Sequence, residues 1–321
     1  MGVPRTAPGS VLFTTYNMLD LFADDSAAGR EHYRLAVQTA RALDTDVLAV
    51  QEIRANDQRT AQSRLRELAG DLGMECTVPG PGGGTRRTTL AMGSRGYHLA
   101  LLWRPGIEPV PGSLRSYGRG DFWHSLACVT LDLGGTKVRH AAHHATPFGR
   151  RLRADQNERL VSAVTNSGGL PVLVGADWNT ESADRVYDTE RGEWVLYEPG
   201  DPYAGIGWFD ELIHQCEWDY DERGQRRHRA DRRPGDVLWA GGLHDAAAVI
   251  GAPWQPTAGH HPSDNYGARG IRRRIDGVRV TSPVTGSLRA HHVESSGRAC
   301  QASDHLPVTV EYVPAAITAV R

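Results

Sequence analysis

Three short apolar runs, each closed by an acid or an amide, constrain this chain more than any other feature. Val11 to Tyr16 ends at Asn17, Val47 to Gln51 ends at Glu52, and Val172 to Ala176 ends at Asp177, with Asn179 two residues further on. Runs of this length and β-branched content predict buried strands, so each one places a hard oxygen donor at a strand end. Further strands are expected at His98 to Trp103, Ser125 to Leu133, Lys137 to His144, Arg274 to Val280 and His305 to Tyr312. Asp276 interrupts the first residues of one of these, and Asp304 abuts the last. Between them, Glu31 to Leu43 carries Tyr33, Leu35, Val37, Ala40 and Leu43 near helical spacing, and Gln58 to Leu72 and Arg151 to Val164 also read as helices. Helices interleaved with strands, followed by several strands in succession, predict an α/β chain with a mixed sheet.

With 321 residues, 40% of them hydrophobic, the chain can bury a large core and is expected to form one domain over residues 1–321. Residues 181–274 stand apart. They are polar, rich in Gly, Pro, Arg and aromatic residues, and weakly periodic, which predicts a long ordered insertion. Its tryptophans, Trp194, Trp208, Trp218, Trp239 and Trp254, are expected to serve as buried anchors. The arginines between Arg226 and Arg233 are expected to form a solvated face. No apolar run approaches the roughly 20 residues of a membrane-spanning helix, and Met1 to Ser10 lacks the apolar run of a secretory signal, so a cytoplasmic protein is expected. The four cysteines are widely separated and form no C-x-x-C pair, which points to reduced, packed thiols. A net charge of −2 argues against a protein that holds nucleic acid through a strong global positive field.

Oxygen donors at strand ends suit Mg²⁺ or Mn²⁺, which are usually held by one or two carboxylates together with water and substrate phosphate. Each residue also has a plainer reading. Asn17 can be a turn residue, Glu52 the first solvated position after a strand, Asp177 and Asn179 an Asx turn with a helix cap, and Asp276 an ion-pair partner of Arg274.

Taken together, the segments Thr15-Tyr16-Asn17, Val50-Gln51-Glu52, Gly175-Ala176-Asp177-Trp178-Asn179, Arg274-Ile275-Asp276 and Ser303-Asp304-His305-Leu306-Pro307-Val308 resemble those of the endonuclease/exonuclease/phosphatase (DNase I-like) superfamily. They occur in the family's order and span nearly the whole chain. The resemblance implies a four-layer α/β/β/α sandwich of two mixed β-sheets. It also implies roles: Glu52 as principal metal ligand with Asp304 and Asn17 completing the shell, Asp177 orienting or deprotonating the attacking water, and Asn179 holding a phosphate oxygen. His305, oriented by Asp276, would act on the scissile phosphate. The family's remaining histidine falls in a degraded segment, Ala142-His143-His144-Ala145. Alignment favours His144, and the period of two then puts His143 on the opposite face.

The function implied is divalent-metal-dependent hydrolysis of a phosphate ester, in either nucleic acid or a phosphorylated small molecule. A small-molecule phosphatase, a biosynthetic enzyme on the same scaffold and a catalytically silent binding module are the alternatives.

Overall fold

The computed structural model describes residues 3–166, 168–204, 212–261 and 270–318; Trp208 lies outside the described residues. Its main strands are β1 (Val11–Leu21), β2 (Val47–Arg54), β3 (Tyr97–Trp103), β4 (Ser125–Leu133), β5 (Thr136–His144), β6 (Val172–Asp177), β7 (Asp276–Thr281), β8 (Leu288–Val293) and β9 (Val308–Tyr312). The main helices are α1 (Ala27–Leu43), α2 (Gln58–Leu72), α3 (Arg150–Thr165) and α4 (Arg233–Ala240). Helix α2 has the bounds its sequence predicts because both ends are marked: Asp57 accepts a hydrogen bond from the Thr60 N–H at 2.9 Å, and Gly73 closes the helix in the left-handed region.

Two mixed sheets result. The first has the order β8-β9-β1-β2-β3, with β1 and β2 parallel and the other pairs antiparallel. The second runs from the short strand Leu243–Asp245 through β7, β6, β5 and β4 to Glu108–Pro109, with β5 and β6 as its parallel pair. The sheets pack face to face. Phe13, Val47, Ala49, Leu101 and Val310 of the first share a buried cluster with Ala127, Val129, Ala142, Leu173 and Val278 of the second.

Side chains alternate across a strand, so the intervening residues face outward. Leu48, Val50, Ala100 and Leu102 lie under Val37 and Ala40 of α1 and Leu65 and Leu68 of α2. Leu126, Ala141, Val172 and Val174 lie under Leu160 and Val164 of α3 and Leu238 of α4. Both faces of each sheet are thereby covered, giving the four-layer α/β/β/α sandwich. Burying one such Leu or Val side chain contributes about 1.5–3 kcal/mol, which explains why these strands read as continuous apolar runs.

Several strand bounds differ from expectation. β1 and β2 do not stop at Asn17 and Glu52 but continue to Leu21 and Arg54, with register shifts between Asn17 and Leu21 and between Val50 and Ile53. The irregularity is a bulge in which Leu19, Asp20 and Glu52 take positive φ values of 47°, 48° and 69°. Asp276 begins β7 rather than interrupting it, and β9 begins at Val308, three residues after His305.

Residues 181–274 are more regular than their composition suggests. Arg185–Asp188 pairs with Glu193–Leu196, and Cys216–Tyr220 pairs with Arg226–Ala230. Most of these residues are exposed or half-exposed, so the strands carry no apolar alternation to announce them. Cross-strand ion pairs stand in its place, Arg229 with Glu217 at 2.9 Å and Arg227 with Asp219 at 3.4 Å. The expectation of buried tryptophan anchors fails for Trp194, Trp218 and Trp239, which are 66%, 36% and 42% exposed. Trp254 is partly buried, with its ring N–H on Glu198. The cysteines are free, with Cys76, Cys128 and Cys216 buried and Cys300 partly so. Among the described residues, no helix is long and apolar enough to cross a membrane.

Candidate active site

Strand register sets the centre of the site. His144 is paired with Asp177, and Asp177 with Asp276, so the ends of β5, β6 and β7 place these three residues in one row. The first sheet supplies Asn17 and Glu52 from its parallel pair. The bulge turns Glu52 so that its carboxylate accepts from Asn17 Nδ2 at 3.1 Å and from the Asp20 N–H at 2.9 Å. Asn17 Nδ2 also donates to Asp177 Oδ2 at 3.1 Å, and this one amide therefore ties the two sheets' carboxylates together. Its Oδ1 accepts from the Leu19 N–H at 3.1 Å.

The loop before β9 brings in His305. Its Nδ1 donates to Asp276 at 2.8 and 3.0 Å, and its Nε2 lies 3.8 Å from Asp177 Oδ2. Arg274, the other candidate partner for Asp276, is occupied elsewhere, with Glu198 at 2.7 Å and with Asp245. His144 Nε2 lies 3.3 Å from Asp177 Oδ2, whereas His143 hydrogen-bonds the Ser125 carbonyl at 3.0 Å and packs on Phe122 and Trp178. The two histidines thus take opposite faces of β5. Asn179, at φ 50°, donates its backbone N–H to Asp177 Oδ1 at 2.9 Å, which is the Asx turn of the plainer reading, while its side chain lines the same cavity as Asp177.

That cavity, about 380 Å³, is lined by Glu52, His144, Asp177, Asn179 and His305, with Arg54, Arg95, Tyr97, Trp123, His124 and Phe148 around them. Burial alone would lower the pKa of His305, but Asp276, Asp177 and Asp304 outweigh it and hold the imidazolium well above the ordinary histidine range. Burial would raise Asp177, but His305, His144 and the Asn179 N–H hold its carboxyl well below the usual range. Burial, partly offset by His144, and the charge of Asp304 push Glu52 up.

Among the described residues, Asp177, Asp276 and His305 form a group of three whose ligand atoms all lie within 4.8 Å of one another; Glu52 and Asp304 stand outside that group. The donor chemistry nevertheless fits a divalent cation at Glu52. It lines the cavity, no arginine or lysine among the described residues pairs with it, and Asp304 adds a second negative charge beside it. A hard cation would supply further countercharge there.

The family model for the Endonuclease/Exonuclease/phosphatase family matches residues 14–305. The chain belongs to this family. Solved structures that resemble this family member include an AP endonuclease from Archaeoglobus fulgidus (15% identity, 94% of this chain and 99% of that one, TM-score 0.57). A D. rerio TDP2 humanised by 14 mutations is similar as well (13% identity, 95% and 99% covered, TM-score 0.58). So is a mannosyl-6-phosphatase from Bacteroides thetaiotaomicron (15% identity, 94% and 98% covered, TM-score 0.54). At such identities the likeness carries the DNase I-like fold and nothing further. No curated protein sequence matches significantly.

This family member also has site residues with no motif of their own. His124 stacks flat on His144, with ring centroids 3.8 Å apart and planes 8° apart, and its buried Nδ1 has no hydrogen-bond partner among the described residues. Burial pushes its pKa down to about 2, aided by His144. Its only sequence signal is its position immediately before an apolar strand. Gln215, from the segment expected to be an insertion, donates to Asn179 Oδ1 at 3.3 Å; nothing in its sequence context marks it.

Proposed function

We propose that the cavity hydrolyses a phosphate ester with the help of Mg²⁺ or Mn²⁺. The observation that carries this reading is geometric: His305 Nε2 stands 3.8 Å from Asp177 Oδ2, and both residues line one cavity with Glu52. Glu52 and Asp304 would hold the ion, which when bound supplies positive charge against the phosphate. Asn17 bridges Glu52 and Asp177 through its Nδ2 and completes the shell around them.

Asp177 is a weak base, because Asn17 Nδ2 and the Asn179 N–H donate to it and the nearby His305 and His144 hold its carboxyl low. Its work is therefore to orient the attacking water rather than to remove its proton outright. His305, charged at neutral pH, is suited to stabilise negative charge on the phosphoryl oxygens and to give its Nε2 proton to the leaving oxygen. Asp276 keeps the ring in place through Nδ1. Asn179 offers side-chain N–H to a phosphate oxygen, and His144 supports Asp177.

The test is turnover of bis(p-nitrophenyl) phosphate and p-nitrophenyl phosphate in Mg²⁺, in Mn²⁺ and in excess EDTA. Metal-dependent release of nitrophenol is expected, and the faster substrate distinguishes a phosphodiesterase from a phosphatase. Full activity in EDTA, or no turnover of either ester, overturns the reading.

A further inference from the structure

Gln215 is a buried glutamine, 7% exposed, in the junction between a short turn of 3₁₀ helix and the strand Cys216–Tyr220. Its backbone is fixed on both sides: its N–H donates to the Leu212 carbonyl at 2.8 Å and its carbonyl accepts from the Asp231 N–H at 3.0 Å. The side chain is held as firmly. Its Oε1 accepts from Arg273 at 3.0 Å and from the Tyr203 hydroxyl at 2.7 Å, while its Nε2 donates to Asn179 Oδ1 at 3.3 Å. Asn179 in turn donates from Nδ2 to the Ala145 carbonyl at 3.1 Å.

This chain of bonds has a direction that its members cannot reverse. A guanidinium has donors and no acceptor, so the end of Gln215 facing Arg273 must be the oxygen. The other end is then the NH₂, which requires Asn179 to answer with Oδ1. The Asn179 NH₂ is left at the side of Ala145 and the cavity. One of its two hydrogens goes to the carbonyl, which leaves a second N–H on a residue that lines the cavity. Were the amide turned over, donors would face donors at Gln215 and carbonyl would face carbonyl at Ala145. An oxygen would then stand where an anionic phosphate must bind.

We propose that Gln215 is a positioning residue: it carries the polarity set by Arg273 to Asn179 and so fixes the amide with its donor toward the phosphate. The inference rests on the hydrolase reading above and gives residues 181–274 a direct part in it. Asn179 touches the substrate; Gln215 acts only through Asn179.

Gln215→Glu tests this, because it keeps the shape and the Arg273 contact while replacing the donor with a second acceptor. With bis(p-nitrophenyl) phosphate and Mg²⁺, kcat should fall by about 10²–10³, the range for losing one donor to the transition state, with little change in KM or melting temperature. Asn179→Ala should show a similar loss, and adding Gln215→Glu to it should cost nothing more. A merely structural role predicts the reverse: a lower melting temperature and a loss that persists in the Asn179→Ala background. Wild-type kcat in Gln215→Glu, or additive losses, overturns the proposal while leaving the hydrolase reading intact. If wild-type protein hydrolyses neither ester, that reading has failed instead. The side-chain amide NMR signal of Asn179, assigned by its disappearance in Asn179→Ala, then decides: Gln215→Glu should displace it, and an unmoved signal overturns the relay. Should Gln215→Glu not fold, Gln215→Met, which removes both ends at similar volume, should show a smaller loss of kcat that likewise vanishes in Asn179→Ala, and an undiminished kcat overturns the proposal.

Discussion

His305 gives its Nδ1 hydrogen to Asp276, 2.8 Å away, and leaves its Nε2 facing Asp177 at 3.8 Å. On the proposed reading, a ring held by one nitrogen and reactive at the other works only with its partner in place. Single substitutions should therefore be non-additive. His305→Ala is expected to lower kcat by about 10² to 10⁴, the usual range for a general acid, and adding Asp276→Asn should cost little more. Measuring kcat and thermal unfolding for both single variants and the double variant checks this. Additive rate losses, or a purely thermal defect in Asp276→Asn, would count against the pair.

On the proposed reading, Glu52 sits where function and stability pull in opposite directions. Its buried carboxyl is pushed up by burial and by Asp304, so without metal the charge is a burden to the fold. Glu52→Gln should abolish most metal-dependent turnover yet melt at the wild-type temperature or above it in EDTA. Mg²⁺ should raise the melting temperature of the wild type and not that of the variant, since a ligand that binds only the folded state stabilises it. An equal rise in both places the ion elsewhere.

The face-to-face contact of the sheets depends on Gly175. A Cβ at this position would lie 2.9 Å from Thr15 Cβ, 3.0 Å from Phe13 Cζ and 3.2 Å from Ala49 Cβ. All three belong to the opposing sheet. Gly175→Ala should therefore destabilise by about 1–3 kcal/mol, the cost of overpacking a filled core. Denaturant unfolding at constant m-value reads this directly, and an unchanged midpoint would show that the sheets can separate without cost.

How much of this was legible in the sequence differs from residue to residue for physical reasons. The strands buried on both faces, such as Val172–Asp177, announce themselves as apolar runs, and α2 is bracketed by Asp57 and Gly73. The bulge around Glu52 left no such mark. An expected strand end and a bulge both show as a polar residue after an apolar run, and only the backbone's positive φ tells them apart. The hairpins of residues 181–274 were hidden because little apolar alternation survives where most side chains meet water. His124 and Gln215 were hidden because their importance lies in contacts with residues 20 and 36 positions away in sequence, His144 and Asn179. The same long-range placement that brings His305 to the cavity was suggested only by resemblance.

Glu181 lies two residues beyond Asn179, and its pKa is raised by burial and by the charge of Glu198, with Arg232, Arg274 and Arg273 offsetting part of the effect, to about 8. Its Oε1 has no hydrogen-bond partner among the described residues. In the unfolded chain the same group ionises near its ordinary value of 4.5. Between these two values the unfolded state has released the proton and the folded state still holds it. Stability from this group is thus fully present below about pH 4.5 and is lost as pH rises toward about 8, at a rate of up to about 1.4 kcal/mol per pH unit. Glu181→Gln keeps the shape and removes the titration. The variant and the wild type should melt at similar temperatures at pH 5, and the variant should be the more stable by a margin that widens toward pH 8. Parallel melting curves across that range, or a variant less stable at pH 8, would show that Glu181 is already ionised in the folded protein and paired with the arginines around it.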